Sequence, residues 1–188
     1  MIVARGLAKR YGDRRVFRDV DVELEAGGFL LVTGANGSGK TTLLRILARL
    51  AAPSAGSLEL PARETIGYLG HEPLVYRELT ALENLALFAQ LYRVERERVG
   101  MLLERFGLWD ARNERVSTFS RGMQQRLGLC RTLLHEPTLL VLDEPANALD
   151  ARGLELLDDV FAEARTMVVA THEPERVEQL ATQRLAFA

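Results

Sequence analysis

The chain has 188 residues, 47% of them hydrophobic and 27% charged. That is enough for one domain with a sizeable core, too little for two independent ones, and the composition of a soluble globular protein rather than a disordered chain. The formal net charge of −2 gives no general attraction for nucleic acid or an anionic membrane, so no nucleic-acid partner is expected and phosphate must be bound by a local site.

Cys130 is the only cysteine, which excludes an internal disulfide and a cysteine-based zinc site. It follows Leu127 and Leu129 on a predicted helix and reads as a packed core thiol. The basic residues are nearly all arginine, with Lys9 and Lys40 the only lysines. Met1 to Arg10 lacks the long apolar stretch of a signal peptide, and no apolar run approaches the ~20 residues needed to span a bilayer. The expectation is a cytoplasmic protein; if it serves transport, the membrane-spanning part belongs to another chain.

Val20, Val22 and Leu24 alternate with acidic residues, predicting a strand with one buried face. Phe29 to Thr33 is a short apolar run that stops at Gly34. From Lys40 the period changes: Leu43, Leu44, Leu47 and Leu50 recur at helical spacing and Pro53 closes the segment. Ser57 to Leu60 and Thr65 to Leu69 read as two more short strands. Thr80 and Glu83 have capping-box spacing and open a helix through Leu82, Leu85, Phe88 and Leu91. A second helix is predicted from Glu95 to Phe106, and a third from near Ser120, carrying Leu127, Leu129, Leu133 and Leu134. Thr138 to Leu142 is continuously apolar, as in a buried parallel strand. A helix from Gly153 to Ala164 and a second such strand, Thr166 to Ala170, follow. The order predicts an α/β core with mostly parallel strands and a helical insert. It forms one domain (1–188) with two lobes, a core of about 1–70 and 136–188 and a helical subdomain of about 71–135.

Gly34, Ala35, Asn36, Gly37, Ser38, Gly39, Lys40 and Thr41 fit the P-loop pattern at every fixed position, with Thr42 next in line. The glycines let the backbone curl so that N–H groups point at the β-phosphate, and the helix opening near Gly39 adds its positive end. Lys40 supplies a full charge to the β- and γ-phosphates, and the Thr41 hydroxyl a ligand to Mg2+. Asp143 and Glu144 stand at the end of a buried strand, where ligands sit in open α/β sheets. Asp143 suits the magnesium shell. Glu144 is suited to orient and deprotonate an attacking water, and Pro145 helps end the strand so that it can leave the sheet.

Phe119-Ser120-Arg121-Gly122-Met123-Gln124-Gln125-Arg126 is similar to the signature motif of the ABC ATPase superfamily. Arg121 stands where the commonest form has glycine and Met123 where it has glutamine. The resemblance covers essentially the whole chain, with the motifs in the family's order. It implies the ABC ATPase fold: a P-loop NTPase core with a mostly parallel sheet, a small antiparallel β region and a helical subdomain. It also implies hydrolysis of ATP with Mg2+, and a nucleotide-dependent homodimer in which ATP lies between the P-loop of one subunit and Ser120 of the other. Tyr11 matches the aromatic residue that stacks on adenine, His172 the switch histidine at the γ-phosphate, and Asp150, in Ala148-Leu149-Asp150, the loop that crosses the dimer interface. His135 reads as an exposed helix-end residue without a role. Integral membrane subunits are expected to dock on the helical subdomain, placing the chain on the cytoplasmic face of the inner membrane.

His71 occupies the position where most ABC ATPases carry glutamine. Gly70-His71-Glu72-Pro73, with Leu79 to Leu85 and the short chain ending soon after His172, looks like the haem-exporter ATP-binding subunit of cytochrome c maturation, the CcmA family. Imidazole is a poor magnesium ligand, so His71 is expected to act through a hydrogen bond or a bridging water; alternatively, Glu72 supplies the oxygen. The other readings are the ATPase of an ABC-2-like exporter of drugs, lipids or polysaccharides, a soluble ABC ATPase of DNA repair or translation, and a small-molecule P-loop kinase. The last has no use for the Ser120 motif, and the soluble ATPases usually carry a coiled-coil insert or a duplicated cassette.

Overall fold

The computed structural model describes residues 1–163 and 165–187. They form two compact units, one of residues 1–68, 138–144 and 165–187, the other of 69–137 and 145–163. Segment 145–163 therefore groups with the helical segment, whereas the sequence assigns it to the core lobe.

In the first unit, Ile2–Tyr11 (β1) and Arg14–Leu24 (β2) pair antiparallel with Ile2 opposite Leu24, and Ala55–Glu59 (β4) pairs antiparallel on the other edge of β1. The second sheet has Phe29–Gly34 (β3), Ile66–Leu69 (β5), Leu139–Asp143 (β6), Thr166–Ala170 (β7) and Gln183–Phe187 (β8) in the order β5-β6-β7-β3-β8. The pairs β6–β7, β7–β3 and β3–β8 are parallel, with Leu30 beside Val168 and Asp143 beside Ala170. The antiparallel β region and the parallel sheet implied by the resemblance are both present.

Alternation decides which residues meet. Val20, Val22 and Leu24 point inward while Asp19, Asp21 and Glu23 stay exposed. They join Ile2, Ala4 and Leu7 of β1 in a core shared with Leu30, Val32, Val141, Val168 and Ala170 of the parallel sheet. Helix α1, Lys40–Leu47, adds Leu43, Leu44, Ile46 and Leu47. Leu44 is fully buried, and its truncation to alanine costs about 2–5 kcal/mol.

The structure ends α1 earlier than the leucine spacing suggests. Arg49 adopts a left-handed backbone, φ 55, and the Leu50 N–H bonds back to the Arg45 carbonyl at 2.8 Å, a Schellman-type stop. Leu50 consequently lies outside the helix and is 51% exposed.

The second unit holds Ala81–Tyr92 (α2), Arg96–Arg105 (α3), Arg121–Leu133 (α4) and Ala151–Ala162 (α5). The Thr80–Glu83 capping box is formed in both directions, at 3.1 and 2.8 Å. Leu85, Leu103, Phe106, Leu127 and Leu133 are buried. The predicted end of the fourth helix at Ala164 lies outside the described residues. Cys130 is fully buried, with its thiol donating to the Leu102 carbonyl at 3.5 Å. His135 departs from expectation: it is half-buried and stacks on Tyr92 with centroids 4.3 Å apart, because the flat imidazole covers the phenol face. Among the described residues no helix is long and apolar enough to cross a membrane.

Candidate active site

Three connections leave the carboxyl ends of three adjacent parallel strands, and each carries a group singled out above. The glycine-rich loop follows β3, Asp143 and Glu144 close β6, and His172 follows β7, which lies between them. Neighbouring strands are about 4.8 Å apart, so β3 and β6 stand about 10 Å apart across β7. This end of an open α/β sheet is where ligands bind.

The loop is built for an anion. Gly34, Gly37 and Gly39 have φ of 142, 79 and 116, and a Cβ on Gly34 would lie 2.7 Å from the Phe187 carbonyl oxygen. Any other residue there is excluded by both backbone and space. The Gly39 cap position has no side chain to satisfy the first N–H groups of α1, and no acidic residue stands in the first turn. Those donors and the helix dipole face outward. Lys40 is only 7% exposed, and its ammonium donates to the carbonyls of Gly34 at 2.6 Å and Ala35 at 3.0 Å. The Ser38 hydroxyl oxygen is buried with no hydrogen-bond partner. Orphan donors, a held lysine and an unsatisfied hydroxyl fit a polyphosphate. Thr41 is exposed and Thr42 half-buried; Ala35, Asn36 and Gly37 are exposed. Edge-to-face contact of Phe17 with Phe187, 5.6 Å between centroids, supports the loop from beneath. A depression of about 520 Å³ bordered by Val16, Phe17, Ser38 and Phe187 opens beside it.

Asp143 is 1% exposed. The next residue turns sharply: Glu144 has φ 52 and its N–H donates to the Ala170 carbonyl at 2.8 Å. One oxygen of its carboxylate, Oε2, accepts from the backbone N–H of His172 at 3.2 Å and lies 2.8 Å from the ring Nδ1. The imidazole is 60% exposed and Glu144 13%. Sequence reading found both residues but not this contact, which depends on the β6–β7 pairing. Tyr11 ends β1 with its ring 54% exposed and the Lys9 ammonium 4.7 Å from its centroid.

The remaining predicted residues belong to the second unit. Ser120 is exposed and caps α4, its hydroxyl accepting the Met123 N–H at 3.2 Å. A Cβ on Gly122 would lie 2.9 Å from the Ala148 carbonyl oxygen, so the signature glycine permits a close approach of segment 145–150. The Gln125 amide ties that segment down by donating to the Pro145 carbonyl at 3.2 Å, and Gln124 donates to Phe119 at 3.0 Å. Arg121 is exposed and Met123 half-buried. The Asp150 side chain is taken up in capping α5, accepting the Gly153 N–H at 2.8 Å. His71 and Glu72 are exposed in an irregular segment. Asn84 and Arg131, which hold the end of that segment, went unnoticed in sequence reading. The Glu83-Asn84 pair following Thr80 was the available signal.

A family model described as ABC transporter matches residues 17–147. A lantibiotic transport ATP-binding protein of Streptococcus pyogenes is 33% identical over 96% of this chain and 84% of its own length. A daunorubicin resistance ATP-binding protein of Streptomyces coeruleorubidus is 37% identical over 96% of the chain, which spans 63% of that relative. An uncharacterized ABC transporter ATP-binding protein of Bacillus subtilis (strain 168) is 36% identical, and the chain spans 62% of its length. A solved ATP-binding subunit of an ABC transporter superposes with a TM-score of 0.91 at 25% identity, covering all of this chain and 85% of the other. The chain belongs to the ABC transporter family as an ATP-binding subunit. It is of the ATP-hydrolysing class, whose cofactors are ATP and Mg2+ and which works with membrane transporter components.

Proposed function

We propose that this chain powers an exporter by binding and hydrolysing ATP between two copies of itself. The observation that carries the proposal is the convergence of the glycine-rich loop, Asp143-Glu144 and His172 at the carboxyl ends of β3, β6 and β7. In this reading the chain is one ABC ATPase domain with a core lobe and a helical lobe.

Gly34 to Thr42 wrap the phosphates, Lys40 leaves the loop carbonyls for the β- and γ-phosphates, and Tyr11 stacks on adenine. Thr41 and Asp143 hold Mg2+, which supplies charge that offsets the phosphate oxygens. Glu144 orients the attacking water and accepts its proton, and His172, positioned by that same carboxylate, faces the γ-phosphate. Ser120, Arg121, Gly122, Met123 and Gln124 at the start of α4 complete the site of the other copy, and Asp150 lies along the shared interface. His71 contributes a hydrogen bond or orders a water, with Glu72 as the alternative oxygen. The membrane subunits dock on the helical lobe, which places the chain at the cytoplasmic face of the membrane.

The exporter reading is favoured over the narrower haem-export one because relatives are named for lantibiotic transport and daunorubicin resistance. Haem export rests on the Gly70-His71-Glu72-Pro73 stretch. Identifying the membrane protein that co-purifies with the chain separates them: a lone polytopic exporter supports the first, a haem-handling complex replaces it with the second. Phosphate release from Mg-ATP by that complex tests the activity, and a complex that hydrolyses no ATP contradicts the proposal.

A further inference from the structure

Lys9 and Lys40 are the two lysines of the chain, and the proposed reaction uses only Lys40. Lys9 lies two residues before Tyr11 on β1, and its ammonium sits 4.7 Å from the centroid of the Tyr11 ring. That ring is 54% exposed at the tip of the β1–β2 hairpin, where Gly12 turns the chain at φ 56. The ammonium is itself tied down, donating to the Ala52 carbonyl at 2.7 Å. Among the described residues no carboxylate pairs with it, so its charge is directed at the ring. The acceptor is fixed in turn. The Ser54 N–H donates to the Ala8 carbonyl at 2.8 Å, while its hydroxyl accepts the Arg10 N–H at 3.1 Å and donates to the Arg10 carbonyl at 3.4 Å. These bonds flank Lys9 on both sides, and the pairing of Ala8 with Ala55 continues them into β4. An exposed lysine ordinarily keeps its rotamer freedom; this one is held at its far end.

We infer that Lys9 is a positioning residue for the nucleotide: its tethered ammonium occupies one face of Tyr11 and presents the other face to the base. The inference rests on the reading that Tyr11 stacks on adenine. A cation is attracted to the negative face of an aromatic ring, so the phenol is held against Lys9 before any ligand arrives. A ring fixed beforehand loses less freedom when a base stacks on it. The base is directed to the open face, because displacing Lys9 would also break its bond to the Ala52 carbonyl. Both properties of the side chain are needed, a positive charge for the ring and a donor for the carbonyl. Arginine retains the two, and an apolar chain of the same length has neither.

Calorimetric titration with Mg-ADP, which carries the base and binds without turnover, tests it. Lys9→Met keeps the length of the side chain and removes its charge, and should weaken Mg-ADP about three- to fivefold. Lys9→Arg should bind within about 1.5-fold of the parent. In a Tyr11→Ala chain, itself weakened, adding Lys9→Met should change the affinity by less than about 1.5-fold, because the group it acts through is gone. Lys9→Met binding like the parent, or Lys9→Arg binding as weakly as Lys9→Met, overturns the inference. So does a loss that persists in full in the Tyr11→Ala chain, since the ammonium would then be acting on the phosphates directly. If Tyr11→Ala alone binds Mg-ADP as tightly as the parent, the stacking reading fails and the inference falls with it. A weakened Tyr11→Ala beside an unaffected Lys9→Met keeps that reading and removes the positioning role alone.

Discussion

Lys40 donates its ammonium to the carbonyls of Gly34 and Ala35, and in the proposed function nucleotide exchanges those bonds for charged phosphate oxygens. A charge-assisted contact of that kind is worth roughly 1.5–3 kcal/mol. Lys40→Ala should therefore weaken ATP binding about 10- to 100-fold by titration calorimetry; binding within twofold would remove the role. Glu144→Gln keeps the shape of the turn and a contact to the His172 backbone, yet cannot take a proton. It should retain ATP and lose turnover by about 100-fold or more, and unchanged phosphate release would exclude Glu144 as the base. A third residue makes a separate prediction. Burial pushes the Cys130 thiol well above its ordinary value of 9.0, so the folded chain keeps it protonated where the unfolded chain ionises. Its stabilising contribution is complete below the unfolded value and fades as pH rises past it. The unfolding free energy should fall above about pH 9, and less steeply in Cys130→Ala, as urea titrations would show.

Elements with a regular period were legible in the residues; those defined by partners were not. The run Leu139 to Leu142 and the Thr80–Glu83 box announce a buried strand and a capped helix. Strand β1 escaped because a left-handed Gly6, φ 57, interrupts its alternation, with its N–H donating to Asp21 at 2.6 Å. Strand β8 is short and partly exposed, and only pairing to β3 makes it a strand. Leu50 matched a helical period that the backbone of Arg49 had already ended. In the site, motif residues could be read one by one, but the Glu144–His172 contact needs two strands separated by a helix to come together. The capping box carries its own prediction. The Thr80 backbone N–H, then its hydroxyl, holds the Glu83 carboxyl below its ordinary 4.5. That stabilisation is present above the unfolded value and lost as pH falls through the lower folded one. Glu83→Gln, which keeps the side chain's size but removes its charge, should lower stability at neutral pH, and the gap to the parent should narrow below pH 4.5 in urea titrations; a pH-independent gap would count against the reciprocal bond.

For the whole molecule, one unit carries the glycine-rich loop with Asp143 and Glu144 and the other the helix capped by Ser120, and the proposed function makes these halves of two sites rather than one complete site. The most direct measurement is the mass of Glu144→Gln in solution, by light scattering, with and without Mg-ATP. The account predicts a monomer that doubles in mass when ATP is added and returns to monomer when Ser120→Arg is added to the same chain. A chain that stays monomeric at saturating ATP, or a dimer indifferent to Ser120→Arg, would contradict it.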